Sequence, residues 1–137
     1  MFTISGLVSL SLPPSKHRWI SAVTILSNMP KPDSHTAVTC ICGDRKGSVH
    51  VYHCTLQASK AEESSACMYQ EPVQSLRLHG PNGVTSIVVH GGYVYIAGRD
   101  GCCRRFSLGT DGLLVELSKF KVRKISYACS VSRYCRI

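Results

Sequence analysis

Eight cysteines, six histidines and sixteen lysines and arginines are the residues of this 137-residue chain with chemistry to offer, and their spacing limits it. Cys40 and Cys42 alternate with Thr39 and Ile41, so a strand puts both thiols on one face, whereas the neighbours Cys102 and Cys103 face apart. Neither pair has the Cys-x-x-Cys spacing of a zinc knuckle, and no histidine supplies a matching second half. The thiols therefore read as free, in a reducing, cytoplasmic setting, rather than as metal ligands or a disulfide framework. His50 and His53 lie three apart on a strand and face opposite sides, a poor chelating geometry. His79 and His90 bracket one strand with no carboxylate at motif spacing, so an anchoring role at a turn suits His79 better than catalysis. There is no G-x-S-x-G nucleophile motif, and the glycine turns at 43–47 and 98–101 lack the spacing that cradles phosphate ahead of a helix. Only eight acidic residues are present, several in turns, which leaves few candidates for a carboxylate pair. Neither an enzyme activity nor a cofactor or metal is expected.

Arg99, Arg104 and Arg105 gather around one turn, with Tyr93 and Tyr95 nearby in sequence. Arginine beside exposed rings is a means of holding single-stranded RNA by ion pairing and stacking, so these three are the candidate contacts to RNA or a partner. Residues 104 and 105 face opposite sides of a strand, however, and the favoured reading is solvated arginines with tyrosines packed between sheets. The net charge of +8 points the same way, because six of those charges lie after Leu117, where no acidic residue occurs. A basic end of this kind is more often solvated than bound to phosphate.

The elements that must position these residues are strands. Residues 84–90 run on to Gly91-Gly92, a two-residue hairpin signal, and Tyr93 to Ala97 is rich in aromatic and β-branched residues. A turn at 98–101 and a strand over 102–107 complete a three-stranded meander opened by His79-Gly80. Earlier, strands are predicted over 6–12, 19–26, 36–42 and 48–52, with a loop at 27–35. The strand over 72–76 is predicted to lead into His79-Gly80, and a last strand spans 113–117. No helical period fits, and the fold class is all-β, in antiparallel meander sheets. No apolar run approaches the ~20 residues of a spanning helix, so no membrane contact is expected, and the first residues lack the basic start of a secretory signal.

The two glycine-rich turns and the strands after them form an internal repeat. Gly43 to Tyr52 aligns with Gly98 to Phe106, with one extra residue in the first turn. A spacing near fifty residues, with an insertion, fits stacked sheets that bury each other's faces. The chain then divides into 1–54, with an edge strand and the first copy, an exposed insertion at 55–71, a second copy at 72–117, and a basic tail at 118–137 without pattern.

In this arrangement the chain resembles the WD-repeat family of β-propellers. Each blade of that family carries a His step before its first strand, an Asp turn before its third, and an aromatic, usually Trp followed by Asp, ending the third. His79, Asp100 and Phe106 hold those places in the second copy, and Asp44 and Tyr52 in the first, where no clear His-Gly step occurs. Tyr52-His53 and Phe106-Ser107 replace Trp-Asp, which leaves the family's His–Ser/Thr–Asp–Trp network incomplete. Three phrases, at 12–19, 42–52 and 78–101, are similar to members that regulate a tRNA ribose methyltransferase. The resemblance covers residues 1–117 and is absent from the last twenty. It implies a non-catalytic scaffold that binds a 2'-O-ribose methyltransferase and helps present the tRNA anticodon wobble nucleotide, by positioning alone. The alternatives are a general protein–protein interaction propeller in signalling or growth control without an RNA role, and an inert truncated product. About two blades cannot close a ring that needs at least ~4, so the chain reads as a fragment of a larger propeller.

Overall fold

Strand follows strand throughout the computed structural model, which describes residues 8–14, 18–27, 35–57 and 68–122. The ten are β1 (Val8–Leu10), β2 (Ile20–Ser27), β3 (His35–Asp44), β4 (Ser48–Gln57), β5 (Met68–Gln70), β6 (Gln74–Arg77), β7 (Val84–His90), β8 (Tyr93–Gly98), β9 (Cys102–Leu108) and β10 (Leu114–Lys121). There is no helix among the described residues, and none long and apolar enough to cross a membrane. Two four-stranded antiparallel sheets result, ordered β2-β3-β4-β6 and β7-β8-β9-β10, and they do not close into a ring. The all-β meander expected from the alternation is what forms.

Three elements differ from the sequence-based expectation. The strand predicted to open the second copy, observed as β6, hydrogen-bonds to β4 and completes the first sheet instead. Its own residues alternate half-buried and exposed, a pattern that suits the outer edge of either sheet. Within the segment expected as an exposed insertion, Met68–Gln70 is a strand paired in parallel with β1, and β4 runs on to Gln57; residues 58–67 lie outside the described set. The last strand continues four residues past Leu117, because Lys119, Phe120 and Lys121 keep pairing with Arg104, Cys103 and Cys102 beyond a bulge. Lysines on an outer strand are no obstacle to pairing when their side chains reach solvent. The rest of the expected tail, 123–137, lies outside the described residues.

The sheets pack face to face. Ile41, Val49 and Val51 of the first meet Val84, Ile87, Val94, Ile96, Phe106 and Leu114 of the second, with Leu78 between them. Each buried side chain of this size contributes roughly 1.5–3 kcal/mol, so this layer dominates the stability of the pair. Alternation then sends His50, Tyr52 and Cys54 of β4 to the far side of the first sheet, where Tyr52 packs with Cys40, Cys42 and Cys54 and with Leu10 from β1. The Tyr52 hydroxyl donates to the Ser11 carbonyl at 2.8 Å, tying the β1–β5 ribbon over that face. Burial pushes Tyr52 up to about 12, helped by the neighbouring Cys42 and Cys40 thiols, so the phenol stays a donor. Cys40 and Cys42 share that face with their sulfurs 3.7 Å apart, and the described cysteines are free thiols. The contact with Cys40, reinforced by burial, raises the Cys42 thiol.

The first strand of each sheet carries the same irregularity. β2 bulges between Ile20 and Ala22, opposite Gly43 and Asp44, and β7 bulges between Val84 and Ser86, opposite Gly98 and Ala97. Ser21 and Thr85 are the extra residues, so each copy presents a hydroxyl at the same end of its sheet. Gly43 meets Val84 so closely that a Cβ there would overlap the valine side chain. Gly43→Ala is therefore expected to destabilise by about 1–3 kcal/mol, read as a lower urea midpoint at unchanged slope. A midpoint equal to that of the unaltered chain would show that Val84 is free to move aside.

Candidate functional site

The residues singled out by type cluster at the end of the sheets where the bulges lie, around the turns joining β3 to β4 and β8 to β9. Asp44 is fully buried at the first. Its Oδ1 accepts the amides of Lys46 (2.8 Å) and Ser48 (3.0 Å), and its Oδ2 lies 3.0 Å from His50 Nε2. A carboxylate only accepts, so Nε2 carries the proton, and Nδ1 of the ring meets Ser75 Oγ at 2.8 Å. Arg18 Nε also approaches Asp44 Oδ2, at 3.2 Å, as an ion pair without hydrogen-bond alignment. Ser75 lies on β6, so this network fastens the outer strand to the turn.

The second turn is a smaller version. His79 Nδ1 lies 2.9 Å from Asp100 Oδ1, which also accepts the Cys102 amide at 3.0 Å. The His79 ring is buried against Gly98, where a Cβ would overlap it, and its Nε2 has no hydrogen-bond partner among the described residues. Partial burial works against the Asp100 carboxylate, but the Cys102 amide and His79 outweigh it and hold the group below its ordinary value. Phe106 and Tyr52 occupy equivalent, fully buried positions five residues past Gly101 and Gly47, one in the inter-sheet core and one under β1.

The three arginines part company. Arg104 Nη1 donates to both carboxylate oxygens of Glu116 at 2.9 Å, and its Nη2 donates to the Leu78 carbonyl at 2.7 Å. Arg105, on the opposite face, sits over the Tyr93 ring, 5.1 Å from its centre. Arg99 is exposed, and across a groove of about 620 Å³ it faces the turn that carries Arg45. Arg18, His50 and Ser75 were not among the expected network members, nor Arg45 among the basic contacts. His50 is legible in retrospect, two residues past the start of the strand that follows an Asp turn and on the same face as Tyr52. Ser75 and Arg18 carry no local signal, since they reach Asp44 only through strand pairing and chain reversal.

These acid–histidine pairs fasten turns, because each carboxylate also accepts the amides of its own turn. The lowered Asp100 gives a sign to the pH dependence. A carboxylate more acidic folded than unfolded adds stability above its unfolded value, 3.8, and loses it as pH falls through the folded value. The urea midpoint should thus drop in acid, and Asp100→Asn should flatten part of that drop while lowering the midpoint at neutral pH. Identical acid limbs for the two proteins would remove Asp100 from the account.

No family model matches the chain, and no solved structure does. Three curated relatives carry the same description, tRNA (34-2'-O)-methyltransferase regulator WDR6. The protein of Rattus norvegicus is 37% identical over 112 residues, that of Bos taurus 36% over 110 and that of Homo sapiens 34% over 112. Each alignment takes in 66% of this chain and 9% of the relative, so the chain spans about a tenth of the length of the curated relatives it matches.

Proposed function

From homology to regulators named WDR6, and the WD-repeat relationship that it implies, we propose that this chain is part of a non-catalytic scaffold for 2'-O-methylation of the tRNA wobble nucleotide. It contributes two propeller blades, binds the ribose methyltransferase, and helps present the tRNA. The observation that carries the reading is the kinship itself. The relatives are named as regulators rather than catalysts, and the pairs around Asp44 and Asp100 serve turns here. In such a role the blade signature, His79, Asp100 and Phe106 with Asp44 and Tyr52, sets the shape of the platform. The methyl-donor site and the bond chemistry belong to the partner enzyme, and the scaffold acts by fixing the geometry of enzyme and substrate.

Removal of the protein from cells is expected to lower 2'-O-methylation at position 34 of tRNA while leaving the methyltransferase folded, and affinity capture should return that enzyme. Undiminished methylation after removal would sink the reading. Capture of signalling proteins, with neither tRNA nor methyltransferase, would favour a general interaction propeller.

A further inference from the structure

We infer that the groove between the two Asp-anchored turns binds the backbone of single-stranded RNA, with Arg45 and Arg99 on its phosphates and Trp19 stacking on a base. The inference rests on the scaffold reading for the choice of RNA, and on geometry for the site. Gly83 lies between the two arginines: its carbonyl accepts the Arg99 amide at 3.0 Å, and a Cβ on it would come within 3.0 Å of Arg45 Cα. Two cations, each exposed, are thus held on either side of one glycine. Among the described residues neither side chain has an ion pair, and no acidic residue lines the groove. The nearby carboxylates of Asp44 and Asp100 are engaged by their turns. Like charges placed together without a counter-charge favour an anion between them, and the guanidinium fork matches phosphate oxygens.

The rest of the lining suits a sugar–phosphate chain. Asn82 adds a neutral polar side chain, and the two bulge residues add hydroxyls whose protons are taken by backbone carbonyls, Ser21 by Val84 and Thr85 by Ala97, which leaves their oxygens as acceptors. Trp19 directly precedes the groove residue Ile20, and its carbonyl accepts the Arg45 amide at 2.9 Å. Trp19 is 63% exposed, which is unusual for so large an apolar residue and is what a stacking platform requires. An acidic peptide would satisfy the arginines but leave the tryptophan without a role. Contact by phosphate pairing and stacking is tolerant of sequence, because every base has a π-face.

Trp19 is the only tryptophan, so its fluorescence reads the proposed stacking. The full chain is titrated with an oligouridylate of about twelve nucleotides and, separately, with polyglutamate, in potassium chloride from about 50 to 200 mM. Quenching by the oligonucleotide is expected, with affinity falling steeply as salt rises. The double variant Arg45→Gln/Arg99→Gln, folded by circular dichroism, should bind about tenfold or more weakly, with a slope of log affinity on log salt shallower by about 1.4. Absence of quenching and binding, an unchanged slope in the double variant, or polyglutamate binding lost with the same arginines would each overturn the inference. Wobble methylation that depends on the protein, beside an oligonucleotide that does not bind, would overturn the groove and leave the scaffold reading standing.

Discussion

The carbonyl of Gly47 accepts two amides, from Leu78 at 2.9 Å and His79 at 3.0 Å, and this fork anchors the connection between the two sheets to the first turn. Its position depends on Asp44, whose buried carboxylate closes the turn that carries Gly47. Its consequence is His79, delivered to Asp100 in the second sheet. Each turn is thereby fixed by a carboxylate, and the two are linked through His79, whose amide bonds to Gly47 and whose ring meets Asp100. A polar chain of this kind at the edge of an apolar interface sets orientation that apolar packing alone leaves loose, since hydrophobic burial has no direction.

Beneath the joint, the two copies are not equivalent. In the first, Asp44 gathers His50, Ser75 and Arg18; in the second, Asp100 holds His79 and one amide. The register of the repeats puts His50 where the second copy has Arg104, and Arg104 turns to Glu116 on the outer strand. The outer strand is thus tied by a part-buried histidine–serine bond in one sheet and by a more exposed ion pair in the other. The second fastening is the weaker, because water competes for an exposed pair and salt screens it.

The faces also differ in what covers them. The β1–β5 ribbon lies over the far side of the first sheet through Leu10 and the Tyr52–Ser11 bond, while Val23 and Ile25 of the edge strand β2 stay exposed. On the second sheet Tyr93, Val115 and Phe120 are exposed. Sheets of this kind are ordinarily half of a contact, and this pair satisfies one contact fully and the outer ones in part.

How far the structure was legible in the sequence follows from the range of the interactions. Period-two alternation, glycine turns and β-branched runs act over a few residues, and they determined that β2, β3, β4, β7, β8 and β9 would be strands joined as two meanders. The repeat of Gly43–Tyr52 and Gly98–Phe106 was visible for the same reason. Partner choice was not. Gln74–Arg77 suits either sheet by its own pattern, and only the unpaired edge of β4 decided where it went. Met68–Gln70 became a strand because β1 was there to pair with it. The cluster read from sequence as Arg99, Arg104 and Arg105 came apart because neighbours on a strand face opposite sides and Glu116 claimed one of them. Arg45, fifty-four residues from Arg99, came to its side only through the stacking of one sheet on the other, a contact that no local pattern encodes.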